Sequence, residues 1–246
     1  MPDMKNLPAL IDTHHKIERL RVATQLRLQS LAKQGREDRA TAQVHETLRR
    51  LEEFLERHIS SVVEAHPVWT EWARYIKGLS PLLLGRVMGR CDIERLTTPG
   101  KMKAHAGFTP DSKRVPGKRL NYDPELKTSC WLVGRQLRLA KGKYYEKFLE
   151  YKERIERRWR EQGVRIVPGG ELPLVDGKRR ETDTVKSLAH LDALAMHKMI
   201  ALWLVHLWSV WRELEGLPVR PPYPIEYLGH TAYISPWDML DRERRR

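Results

Sequence analysis

The sequence predicts a mostly α-helical protein: an N-terminal antiparallel coiled-coil hairpin, a helix-hairpin-helix core, and a C-terminal helical lobe with a short β ribbon. Three observations carry that prediction. Apolar residues recur at helical spacing through two long N-terminal stretches, several later segments open on a capping residue followed by proline, and strand-like pattern is confined to one Gly-rich region. The organisation divides into residues 1–66 for the arm, 67–162 for the core, and 163–246 for the ribbon, an apolar Trp-rich helix and a Pro-rich tail.

In the arm, the stretch from Ile11 to Lys33 carries Ile17, Leu20, Val22 and Leu26, and the stretch from Glu37 to Ala65 carries Leu48, Leu51, Leu55 and Ile59. Gly35 lies between them and permits the chain to reverse, so two long antiparallel helices are the simplest solution. Arg49, Arg50, Glu52, Glu53 and Glu56 alternate in charge on the outer face, which suits a packing arm through which copies of the chain form a homo-oligomer.

His66-Pro67 closes the arm, and Val68 to Tyr75 and Leu82 to Met88 predict two helices joined by Gly78-Leu79-Ser80-Pro81. Gly78 can take the turn conformation, Ser80 can cap, and Pro81 fits the first helical position. Such a corner aims unpaired backbone N–H groups outward at a helix N-terminus, where a phosphate can bind. Thr97-Thr98-Pro99 starts a helix that runs to Ala106 and stops at Gly107. From Phe108 to Tyr122, Pro110, Pro116 and Gly117 block regular structure. Asp123-Pro124 opens a helix to Ala140, and Tyr144 to Gln162 supplies another. Val164, Ile166 and Val167, then Pro168-Gly169-Gly170, then Leu172, Leu174 and Val175 predict a short two-stranded ribbon turning at the glycines, or a flexible arm. Asp183 to Leu214 returns to helix with a broad apolar surface that includes Leu188, Leu191 and Leu207. Beyond Gly216, Pro218, Pro221, Pro222, Pro224 and Pro236 predict an extended wrapping tail.

A formal net charge of +13 and a pI near 9.9 favour polyanionic partners bound in a salt-dependent way. DNA, duplex or branched, is the first expectation and structured RNA the alternative. A membrane is not expected: the most apolar run, Ile200 to Trp211, is interrupted by His206 and short of a span. Cys91 and Cys130 alone supply neither a disulfide framework nor a thiolate zinc site. Met1 to Leu10 has no apolar signal core, so the expected location is cytoplasmic and nucleoid-associated. No cofactor is expected, since Val167-Pro168-Gly169-Gly170 lacks the Lys-Ser or Lys-Thr of a nucleotide-binding loop.

The candidate nucleic-acid contacts are Arg74, Lys77, Gly78, Leu79 and Ser80 at the hairpin, and Lys101, Lys103, Lys113, Arg114, Lys118 and Arg119 around the loop, where Asp111 is the one acid. Arg135 and Arg138 continue the density on the next helix. Tyr122 and Trp131 could stack on a base, although core packing is the simpler role. His190 and His197 share a helical face and could bind a metal with His206 and Asp192 or His230. No tight ligand pair at four-residue spacing occurs among them, so no metal site is expected, and they read as polar members of an interface filled by Trp203, Trp208 and Trp211. Glu150 with Glu153 balances Lys147, Lys152 and Arg154 along one helix.

Gly78-Leu79-Ser80-Pro81, Ile93 to Leu96 before the helix from Pro99, Ala106-Gly107-Phe108-Thr109-Pro110, Gly117-Lys118-Arg119, and a following helix with Arg135 and Arg138 form a recognisable series. It resembles the C-terminal domain of insertion-sequence transposases that pair a RuvC-like nuclease domain with a serine-bearing domain. The resemblance spans about residues 75–158 and implies a mobile-element setting, DNA handling, and a preceding coiled-coil arm. The chain departs from that family twice. Nothing before Tyr75 reads as the strands of an acidic nuclease domain, and the family's serine position falls on Arg114 and Val115, with Ser112 two or three residues away. Three functions follow: a DNA-backbone-binding protein, a strand-transfer enzyme acting through Ser112 with Lys113 and Arg114 stabilising the transition state, or an RNA-binding or architectural scaffold.

Overall fold

The computed structural model describes residues 4–219 and 233–243. Among them it is mostly α-helical, with eight α-helices and two small two-stranded sheets, and the chain divides into two compact units.

The first unit comprises residues 1–74 and 80–92 and holds α1 (Leu7–Lys33), α2 (Arg39–Glu64), α3 (Pro67–Glu71) and α4 (Pro81–Met88). Gly35, at φ 66°, begins the turn between α1 and α2, and the Asp38 side chain caps α2 by accepting from the Thr41 amide at 2.9 Å. The helices run antiparallel, as the cross-pairs Arg21–Glu52, Thr24–His45 and Arg27–Asp38 require. The apolar seam is shorter than the spacing predicts. Leu55 and Ile59 are buried, but Leu20, Val22, Leu26 and Leu51 face solvent, and the interior also takes in His14 and Glu52. At the arm's base α4 supplies an apolar partner, bringing Gly85 against Ile59 and Val63, while Gly89 approaches Ile11 and Leu7. The first hairpin helix stops early: α3 ends at Glu71, Trp72 is fully buried, and Ala73–Tyr75 is a single 3-10 turn.

The second unit, residues 75–79 and 93–246, is organised around α8 (Leu188–Leu214), against which α5 (Pro99–His105), α6 (Pro124–Ala140), α7 (Lys143–Glu161) and the 3-10 turn Pro236–Met239 pack. The caps follow the sequence signals: Thr98 accepts from the Lys101 amide, Asp123 from Glu125 and Leu126, and Ser187 from His190. Trp203 and Trp208 are wholly buried, and the Trp208 indole donates to the Leu96 carbonyl at 2.5 Å. Gly134 lets α6 approach α8, since a Cβ there would lie 2.5 Å from Ile200. By length and composition α8 could cross a membrane, a longer apolar element than Ile200 to Trp211 suggests, yet 56% of its most apolar window is buried inside the protein.

The ribbon is wired differently from the expectation. β1 (Arg165–Val167) pairs in parallel with β4 (Val185–Ser187), and β2 (Leu174–Val175) pairs antiparallel with β3 (Lys178–Arg179). The hairpin turn is Asp176-Gly177, with φ 50° and 71°, the Asp-Gly signature of a two-residue turn. Gly169–Glu171 is a 3-10 turn instead. Pro221, Pro222, Pro224 and His230 lie outside the described residues.

Gly78 has φ 86°, and a Cβ on it would stand 2.6 Å from the Gln136 carbonyl and 2.7 Å from the Ala140 Cβ. Gly78→Ala is therefore expected to lower unfolding stability by about 2 kcal/mol, measured by chemical denaturation.

Candidate nucleic-acid interface

Gly107, at φ 74°, ends α5 and releases the chain into the loop that reaches α6. Short internal bonds shape this loop. The Ser112 amide donates to the Thr109 carbonyl at 3.0 Å, Lys118 to Val115 at 3.1 Å, and the Asn121 side chain to the Asp111 carbonyl at 3.2 Å. Its foot is fixed where the Asp123 amide donates to the His105 carbonyl and Tyr122 lies against Gly107. Between these ties Lys113, Arg114, Lys118 and Arg119 are all exposed, and none has a carboxylate partner among the described residues. Several arginines on the helix surfaces are paired instead: Arg49 and Arg50 with Glu46, Arg157 with Glu153, Arg160 with Glu156. The loop is thus a local excess of positive charge.

The remaining candidates divide. Lys101 is exposed and donates to Thr97 Oγ1 at 2.9 Å. Lys103 is half-buried, and burial holds its ammonium below the ordinary lysine range. Arg135 is exposed on α6. Arg138 is committed inward: it pairs with Asp192 at 2.8 Å, a carboxylate that also takes Lys152, and lies over the Phe148 ring. Arg74 is exposed in the first unit. Tyr122 is half-buried with Lys127 over its ring, and Trp131 is half-buried near Phe108.

The hairpin corner does not offer the row of free amides expected of it. An anion already sits there, supplied by the chain itself. Asp241 accepts from the Lys77 amide through Oδ2 and from the Lys143 amide through Oδ1, both at 2.7 Å, and its own amide donates to the Tyr75 carbonyl at 3.0 Å. The Leu79 amide reaches back to Ile76 at 3.4 Å, and Ser80 spends its hydroxyl capping α4 through the Leu83 amide at 3.3 Å. Lys77 and Gly78 nevertheless remain exposed, while Leu79 and Ser80 are half-buried. Gly78 also rests on Gln136, near the end of α6, whereas the basic loop feeds its first residue, Pro124. Those points are roughly 20 Å apart along the helix at 1.5 Å per residue. Hairpin and loop are two features, and the loop is the cationic one.

Ser112 is engaged by Thr109, hydroxyl to hydroxyl at 2.9 Å, and no histidine, lysine or carboxylate is hydrogen-bonded to it among the described residues. An activated serine needs an adjacent base. The three histidines of α8 do not converge. His190 pairs with Glu181, His197 stacks on Phe108 at 4.8 Å, and His206 accepts from the Tyr144 hydroxyl at 2.8 Å while donating to the Ile234 carbonyl at 3.0 Å. Burial lowers His206 to about 4 against the opposing pull of Ile234 and Asp238, so it is neutral at pH 7.

Sequence reasoning missed two features. One is Asp241, which no local motif marks. The other is a cluster of His14, His15, Glu18, Glu52 and Glu56 inside the arm, signalled by four-residue spacings His14 to Glu18 and Glu52 to Glu56.

No family model matches the chain, and neither the curated proteins nor the solved structures offer a match.

Two outcomes follow from this geometry. Asp241→Ala removes one carboxylate from two amides, the exposed one of Lys77 and the part-buried one of Lys143, and is expected to lower stability by about 2 kcal/mol in denaturant titration. His206 binds its proton more weakly folded, at about 4, than unfolded, at 6.5, so its contribution is complete above pH 6.5 and is lost as pH falls toward 4. The loss amounts to roughly 3 kcal/mol, and His206→Gln is expected to flatten that part of the stability profile between pH 7 and pH 4.

Proposed function

We propose that this chain binds nucleic acid, DNA first, through its phosphate backbone and largely without regard to base sequence. The observation that carries the reading is the set Lys113, Arg114, Lys118 and Arg119, exposed without acidic partners on one short loop. Side chains of this kind release condensed counterions when they meet phosphates, which supplies sequence-independent affinity. Lys101, exposed on α5, extends the loop's reach, while Arg135, exposed on α6, is a separate cation about 16 Å farther along that helix. A net charge of +13 adds a long-range field that steers a polyanion toward the molecule. Arg138 and the Lys77 amide are left out of the contact set because Asp192 and Asp241 hold them.

The resemblance to serine-bearing transposases supports a mobile-element setting in which such a domain handles DNA. The strand-transfer reading has less behind it, since Ser112 bonds to Thr109 and lacks a base. A role at the nucleoid and association through the arm belong to the same proposal.

Lys118→Glu with Arg119→Glu is expected to weaken affinity for a DNA duplex about tenfold at 0.1 M salt and to reduce the slope of log affinity against log salt by about 2. Ser112→Ala is expected to change neither quantity. Fluorescence anisotropy on a labelled duplex, competed with structured RNA at equal salt, reads both outcomes. Unchanged binding by the double variant would contradict the proposal, and tighter binding of the RNA would favour the scaffold reading.

A further inference from the structure

The interior of the α1–α2 arm contains ligands rather than hydrocarbon at one level. His14 is completely buried, and Glu52 is nearly so. Each of two sets, His14 with Glu52 and Glu56, and His14 with His15 and Glu18, brings its ligand atoms within 4.8 Å of one another. His14 Nε2 lies 3.4 Å from Glu56 Oε1, long for a hydrogen bond. It is, however, the spacing of two neighbouring ligands in a tetrahedral zinc site, where bonds of about 2.0–2.1 Å set ligand atoms about 3.3 Å apart. The other ring nitrogen, Nδ1, is buried with no hydrogen-bond partner among the described residues. A buried imidazole with one long contact and one orphaned nitrogen is poorly satisfied by its protein neighbours.

We propose that the arm binds one divalent ion of the zinc class through His14 Nε2 and the carboxylates of Glu52 and Glu56. Binding at Nε2 leaves the ring proton on Nδ1, and Glu18 and His15 lie in the second set around the same imidazole. Nitrogen with two oxygens suits zinc or cobalt better than calcium or magnesium. Glu18, Glu52 and Glu56 carry Arg21 and Arg86 as counter-charges, so the ion takes the place of Arg21 on Glu52. Arg21, which pairs with Glu52 and is partly exposed, would turn to solvent when the ion enters. The ion would join α1 to α2 where the arm's packing is polar, independently of any nucleic-acid binding.

The test uses the full chain without an affinity tag, stripped with a chelator and titrated with Co2+ while visible absorption is recorded. The expected result is one equivalent of Co2+ per chain with tetrahedral d–d bands, displaced by Zn2+, and a melting temperature raised by several degrees with excess Zn2+. His14→Gln should abolish the bands, Glu56→Gln should weaken binding at least tenfold, and Asp12→Asn, at an exposed position outside both sets, should leave it unchanged. If His14→Gln fails to fold, Glu56→Gln decides the matter, because Glu56 is partly exposed and its amide preserves shape. A helical wild-type chain that takes up no Co2+, or takes it up equally in Glu56→Gln, overturns the proposal and leaves a polar seam only.

Discussion

The need to bury α8 governs the second unit. This 27-residue helix is apolar around most of its circumference, with Leu191, Ala195, Met199, Ile200, Trp203, Leu204, Leu207 and Trp208 all lacking solvent exposure or nearly so. Such a helix must be covered on several sides at once, and α5, α6, α7 and the Pro236–Met239 turn share the work. Of the polar groups drawn in with it, His206 is satisfied by Tyr144 and Ile234 and Arg212 by the carbonyls of Ile93 and Pro218, while the Trp203 indole N–H has no hydrogen-bond partner among the described residues. Because the helices are occupied in covering α8, the connection between α5 and α6 is left outside as an open loop.

Charge follows from that arrangement. On α2 and α7, acids stand three or four residues from arginines and lysines and neutralise them locally. The loop between α5 and α6 has no helical spacing to bring acids alongside its cations. Its prolines and glycine forbid such regularity, and Asp111 is its one acid. The same chain that leaves these cations unpaired uses Asp241 to satisfy the amides of Lys77 and Lys143, so the hairpin serves packing at least as much as display.

Much of the fold was legible because its signals are local. Thr98-Pro99, Asp123-Pro124 and Ser80-Pro81 mark helix starts by cap and ring geometry that need no tertiary partner, and the long apolar pattern of α8 admits little else. The short ribbon is present, but its turn is at Asp176-Gly177 and not at the glycines 169 and 170, and the parallel partner of Arg165–Val167 lies twenty residues on, beyond any turn rule. The first hairpin helix was overextended: Trp72 leaves the helix for a fully buried position, and burial decided where propensity could not. At the site, the exposure of Lys113 to Arg119 was readable from proline and glycine content. The engagement of Arg138 by Asp192 and of Lys77 by Asp241 was not, since those partners lie 54 and 164 residues away in sequence.

The arm shows the opposite balance of pattern and packing. Its helices form as the periodicity dictates, yet the outward Leu20, Leu26 and Leu51 and the inward His14 and Glu52 depart from a simple heptad. The unpaired basic loop is the feature on which the functional account stands. The salt dependence of duplex-DNA affinity for the intact chain tests it most directly. Four phosphate contacts by the loop predict a log–log slope of about −3.6, steeper if Lys101 and Arg135 take part. A slope near zero, or no association even at low salt, would contradict it.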